Sequence, residues 1–226
     1  MDDVLPQQEQ HYLSDILLDF VAGEAHGHDL LGVLAETPAC SQIRLALHAQ
    51  ARDEARHASA FRSLAAHLPV PSPHHDHVTP MFDAISEVLS TPGMTVALHG
   101  ILESCVLAEV SAHARFWRAV PAIRDVWSVV AKDEQRHVRF GARLLRTTDR
   151  KILQPWDLAL AACVDGVVGC VDQEGLLGGL PAGRQAELLG LVAEQRSLHV
   201  GALARRLEAF ELPHTLRALG RFLMGA

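Results

Sequence analysis

The sequence predicts an all-α protein, and three observations carry that prediction. Apolar residues recur at intervals of three and four through most of the 226 residues. Ala and Leu dominate the apolar part and aromatic residues make up only 5%, a balance that favours helix over sheet. No alternating strand pattern and no Asn-Gly hairpin signal occurs anywhere.

The elements follow in order. Leu13, Leu17, Phe20, Leu31 and Leu34 mark a first helix that stops near Thr37-Pro38. A second runs from about Ser41 to Leu68, with Leu47, Phe61, Leu64 and Leu68 on one stripe. The Pro- and His-rich "PVPSPHHDH" after it cannot be helical and is long enough to cross a bundle. Thr79-Pro80 is an N-cap and first-turn signature, so a helix resumes there. Thr91-Pro92-Gly93 interrupts it, and a third long helix is expected over roughly Met94 to Ala119. A fourth starts after Pro121 and ends around Thr147. Beyond Pro155 about three more helices are expected, broken near Gly178-Gly179-Leu180-Pro181 and at Pro213. The expected organisation is one domain over residues 1–226, a four-helix bundle at 10–149 with a helical extension at 155–226 packed on it.

Composition excludes several classes. The net charge of -7 argues against wrapping a phosphate backbone, and no basic stripe stands out in the text. Cys40, Cys105, Cys163 and Cys170 form no CxxC pair and sit in apolar helical text, as buried free thiols of a reducing compartment would. There is no basic-then-apolar leader at the start and no uncharged apolar run of membrane-spanning length. The expectation is a cytoplasmic protein with no membrane and no nucleic-acid partner.

One seven-residue word occurs twice. "ARDEARH" (Ala51 to His57) returns as "AKDEQRH" (Ala131 to His137) at an offset of 80. In Glu54-x-x-His57 and Glu134-x-x-His137 the i, i+3 spacing sets both side chains on one helix face. Each pair falls on the apolar stripe, with Leu47 and Phe61 in one copy and Trp127 and Gly141 in the other. Charged groups aimed at a core are costly unless paired or bound to metal. Upstream, Glu24 and Glu103 interrupt the apolar stripes of the first and third helices, 30 and 31 residues before the ExxH glutamates. Each half is then a helical hairpin that brings one lone Glu and one ExxH to the same level.

That ordered set, Glu24, Glu54/His57, Glu103, Glu134/His137, resembles the ferritin-like superfamily of di-metal carboxylate proteins. The resemblance covers roughly residues 10 to 149 and implies a ferritin-like four-helix bundle in which these six residues hold two iron ions, with manganese as the alternative. The charges agree, since four carboxylates balance two ferrous ions. Oxidation leaves two excess positive charges that bridging oxygen anions can offset, a reason for such a centre to react with dioxygen. Mixed oxygen and imidazole ligands suit iron or manganese better than zinc or calcium.

The resemblance also implies that Asp53 orients His137 and Asp133 orients His57, fixing tautomer and ring angle. Arg56 and Arg136 are set to pair with these aspartates. His28, one turn after Glu24, and His99, one turn before Glu103, are candidate pocket residues. Glu109 lies on roughly the opposite side of its helix and is expected to pair elsewhere. His74 to His77 read as exposed polar loop.

In length and placement of the ligand helices the chain looks like the aldehyde-deformylating oxygenases. The expected activity is a di-iron oxygenase or oxidase of monooxygenase type, acting with dioxygen on a small, largely apolar organic substrate. An external electron donor is implied, and a homodimer is the common assembly in the superfamily. An iron-storage ferritin-like protein and a manganese catalase-like enzyme are the rival readings.

Overall fold

The computed structural model describes residues 5–36, 41–68, 78–88, 91–171, 177 and 179–224, with the backbone alone at 168–171. The helix stop at Thr37-Pro38, the His74–His77 loop, Cys40, Gly178 and the Cys170 side chain lie outside these residues. Every described element is helical. They are α1 (Gln7–Glu36), α2 (Ser41–Ala65), α3 (Thr79–Ser86), α4 (Thr91–Thr95), a π-helical segment (Val96–Leu102), α5 (Glu103–Phe116), α6 (Pro121–Thr147), α7 (Arg150–Leu153) and α8 (Asp157–Val171). The described residues also include the helices Ala182–Leu207 and Pro213–Met224 and single 3-10 turns at Gln154–Trp156 and Glu208–Phe210.

These elements form two compact units, Met1–Thr79 with Gln173–Glu187, and Pro80–Asp172 with Leu188–Ala226. The division falls at Thr79–Pro80 and again at Glu187–Leu188, within the Ala182–Leu207 helix.

The first unit is built on the α1/α2 hairpin. Leu13, Leu17, Leu31 and Leu34 of α1 and Leu47, Phe61 and Leu64 of α2 are buried, because each helix repeats its apolar residues close to the 3.6-residue period. Phe20 meets Phe61 with ring centroids 5.2 Å apart and ring planes tilted by 50°, within the contact range of aromatic pairs. Arg184, early in the Ala182–Leu207 helix, donates to Glu9 Oε1 at 3.0 Å.

In the second unit α5, α6 and the π segment make the core. The sequence placed an interruption at Thr91-Pro92-Gly93. A helix instead begins at Thr91, and Pro92 sits in its first turn, where the missing N–H costs no hydrogen bond. The run from Thr91 to Phe116 is not uniformly α-helical, because residues 96–102 are wound as π-helix and the Glu103 N–H donates to Leu98 O, five residues back. By length and composition this run is apolar enough to cross a membrane, although it is not uncharged, since Glu103 and Glu109 fall within it. With 89% of its most apolar window buried, it is accounted for as a core helix.

The last helix is fastened by Asp157. Its carboxylate accepts hydrogen bonds from His214 N (3.0 Å), Thr215 N (2.9 Å) and Thr215 Oγ1 (2.7 Å). Those groups open the helix Pro213–Met224, so Asp157 caps it from 57 residues away. Burial alone would raise the Asp157 pKa, but these donors outweigh it and hold the carboxyl below its ordinary value. Its stabilisation is therefore present above the ordinary carboxylate pKa and is lost as pH falls through the depressed one. Asp157→Ala is expected to cost about 2 kcal/mol at neutral pH, by loss of a cap and of charge-assisted bonds. Thermal melts check this, because the gap between variant and parent should shrink in acid.

Candidate metal centre

Each unit carries one acidic cluster, and the two are built alike. In the first, α1 supplies Glu24 and α2 supplies Glu54 and His57, all buried. His57 Nδ1 lies 3.1 Å from Glu54 Oε2 and 3.5 Å from Glu24 Oε2. In the second, Glu103 opens α5 and Glu134 and His137 come from α6, again all buried. His137 Nδ1 lies 3.2 Å from Glu134 Oε2 and 3.7 Å from Glu103 Oε2. Within each trio, one ligand atom per residue lies within 4.8 Å of the others. The repeated word therefore produces repeated geometry.

That geometry suits a metal ion. When ligands bind at about 2.1 Å in an octahedral shell, neighbouring donors stand about 3 Å apart, close to the spacing of Nδ1 and the Oε2 atoms here. Glu24 Oε1 supports the same reading. It is buried and has no hydrogen-bond partner among the described residues, a state that costs about 1–3 kcal/mol unless something positive meets it. Two carboxylates and one imidazole per trio form a donor set suited to iron or manganese. These residues fit a metal.

In the metal-free protein a proton takes the cation's place. Burial would lower the His137 pKa, but hydrogen bonds and negative charge from Glu103 and Glu134 hold it up at about 12. Glu103 is pushed up to about 7 by burial and by the charge of Glu134. A raised carboxyl means that the folded state binds more protons than the unfolded chain, so metal-free stability falls as pH rises from about 4.5 through about 7. Glu103→Gln removes that liability. The variant without metal is expected to melt higher than the parent at pH 8 and alike at pH 5, as calorimetry would show.

The neighbouring aspartates are occupied. Asp53 pairs with Arg56 at 2.9 Å and Asp133 pairs with Arg136. Asp133 is buried while the Arg136 side chain is 55% exposed, so that pair runs from the core edge to the surface. Glu109, as expected, points elsewhere and accepts from Arg196 Nη2 at 3.1 Å.

The two pocket histidines part company. His28 corrects the sequence reading: it is exposed and pairs with Asp29 at 3.0 Å. The inward face of α1 runs through Glu24, Gly27, Leu31 and Leu34, which turns position 28 outward. His99 is 1% exposed, lies edge-on to Phe140, and interacts electrostatically with both Glu103 and His137. Burial lowers its pKa to about 4, so the ring is neutral.

The sequence reading missed the π segment that carries His99. Its signal was two glycines. A Cβ on Gly100 would stand 3.2 Å from the Leu203 side chain. A Cβ on Gly141 of α6 would overlap His99 Cβ and stand 3.2 Å from the His99 carbonyl. Gly141 thus lets the π segment lie directly on α6, one turn past His137. Cys105 and Cys163 are buried free thiols, as expected, and burial raises the Cys163 pKa to about 12.

The described residues, helical throughout their regular elements, have the ferritin-like fold. The likeness is to a solved Synechococcus protein with aldehyde deformylating oxidase activity, at a TM-score of 0.74 and 17% identity over 98% of each chain. No protein-family model matches the sequence, and no curated protein matches it. At that identity the likeness shows the fold alone.

Proposed function

We propose that the protein is a non-haem di-iron oxidoreductase that uses dioxygen to oxidise a small, largely apolar organic substrate. The observation that carries the reading is the twofold occurrence of a buried Glu-plus-ExxH trio whose Nδ1 and Oε2 atoms stand at coordination spacing. Glu24, Glu54 and His57 would hold one iron and Glu103, Glu134 and His137 the other, with manganese the alternative metal. When bound, iron supplies the redox chemistry with dioxygen that no side chain here can perform.

The chain's own residues position, neutralise and exclude. Four carboxylates offset the metal charge. Trp127 and Val130 on α6, with Val96 and Ile101 on the π segment, are buried apolar groups on the elements that carry the second trio, of the kind that limits water at a metal site. Asp53 and Asp133 are proposed to orient the ligand imidazoles, with Arg56 and Arg136 holding the aspartates. Dioxygen, an organic substrate and an external electron donor complete the reading.

Metal binding must displace protons from His137 and Glu103. Apparent ferrous affinity is therefore expected to fall as pH drops below about 7, where Glu103 also keeps its proton. Titrations at two pH values, with released protons counted, check this.

The activity test offers straight-chain aldehydes first, because the fold's neighbour has aldehyde deformylating activity. Alcohols and arylamines follow, with iron-loaded protein, chemical reductant and labelled dioxygen. Substrate-dependent oxygen uptake with a product of altered carbon or oxygen content supports the proposal. Oxygen uptake that only accumulates ferric iron would contradict it and favour storage.

A further inference from the structure

The outer face of α6 carries a row of cations. Lys132, Arg136, Arg139, Arg143 and Arg146 are all exposed. At about 100° per residue they fall within about 40° either side of one line along the helix, and they span about 21 Å. The sequence reading found no basic stripe, because the chain's net charge of -7 hides one. A quarter of its 20 cationic residues stand in this single row. Arg136 is engaged with Asp133. Lys132, Arg139, Arg143 and Arg146 make no salt bridge among the described residues. The nearest acid on this face, Asp125, lies about two turns before Lys132 and is held by Arg124.

The row stands directly behind the ligands. Trp127, Val130, Glu134, His137, Gly141 and Leu145 form the buried face of α6, and their helical positions centre about 180° from the cations. Whatever docks on the row approaches within about one helix diameter, 10 Å, of the metal-ligating face.

We propose that this row is the docking surface for a small acidic one-electron carrier protein, which would supply the reductant that the proposed di-iron reaction requires. The inference rests on that functional reading. The cations of the row that make no salt bridge, Lys132 and the three guanidinium groups of Arg139, Arg143 and Arg146, which suit carboxylates, complement an acidic protein surface and would steer it in at low salt. A nucleic acid is the less fitting occupant. Its long phosphate backbone would meet the remaining acidic surface, and it has no reason to sit behind the ligands. Each encounter passes one electron and oxidises one carrier, so two reduced carriers are consumed for each two-electron reduction of the iron pair.

The test uses an acidic [2Fe–2S] ferredoxin as probe, with the full chain and its Arg139→Glu/Arg143→Glu double variant. Calorimetry on metal-free protein at about 20 mM salt is expected to show binding that weakens at least tenfold in the variant and fades in the parent near 0.5 M salt. With iron loaded, reduction by reduced ferredoxin should slow by the same factor, while reduction by dithionite stays within about twofold. Equal ferredoxin binding by parent and variant, or binding by neither, overturns the proposal. So does tighter binding of a 20-base-pair RNA duplex that the variant loses, which would assign the row to nucleic acid. If dithionite reduces neither protein, the di-iron reading has failed, and the metal-free binding data still decide what the row does.

Discussion

Glu134→Ala is expected to fold, to lose at least one of two irons per chain, and to lose oxygen-dependent turnover by about a thousandfold. Outer partners of metal ligands cost about 10–100-fold in affinity when removed, so a ligand itself must cost more. The fold survives because Glu134 has opposing effects without metal: its charge helps push Glu103 up to about 7, while its hydrogen bond and charge hold the His137 proton. Thermal melts separate the two roles. Saturating ferrous or manganous ion should raise the parent's melting temperature by about 10–20 °C, from about 2.7 kcal/mol at each of the two sites at a hundredfold excess over Kd. In the variant that gain should fall by at least half, while the metal-free melting temperature changes little. An unchanged metal-dependent shift would remove Glu134 from the ligand set.

Gly141→Ala should destabilise the protein, against the usual trend. In a helix interior, alanine is ordinarily better than glycine by about 1 kcal/mol. Here the new Cβ would collide with His99 Cβ and press on its carbonyl, and overpacking of a tight core costs about 1–3 kcal/mol. Relief requires the π segment to lift from α6, and that segment ends at Glu103. The variant is therefore expected to lose affinity for the second iron as well as stability. Gly183→Ala, where an added Cβ meets nothing within 4 Å, is the control, expected to be neutral or stabilising. Urea unfolding and metal titration of both variants check the pair.

Much of this was legible because the chemistry shows in the helical period. A glutamate on an apolar stripe stands out wherever the stripe is regular, so Glu24, Glu54, Glu103 and Glu134 could be read without coordinates. Pro121 fixed the start of α6, and the helix spans Pro121–Thr147 as the spacing foretold. His28 was misplaced because one turn of separation was taken as sharing a face, whereas the packed line of α1 runs through Gly27. The π segment was not legible, since nothing local distinguishes a five-residue from a four-residue hydrogen-bond register, and only Gly100 and Gly141 hinted at close approach. The Asp157 cap was hidden for another reason. Its partners His214 and Thr215 are 57 and 58 residues away, beyond any local pattern. The α6 cations were in plain view at intervals of three and four but were lost in the net charge.

The central claim is that the two trios hold one iron each. Anaerobic titration of metal-free protein with ferrous ion, with bound iron counted per chain before and after dioxygen exposure, tests it most directly. The account predicts saturation at two irons per chain, falling in Glu54→Ala and Glu134→Ala, and an oxygen-dependent absorbance change that needs both irons. Loading far beyond two per chain, or no binding at all, would contradict it.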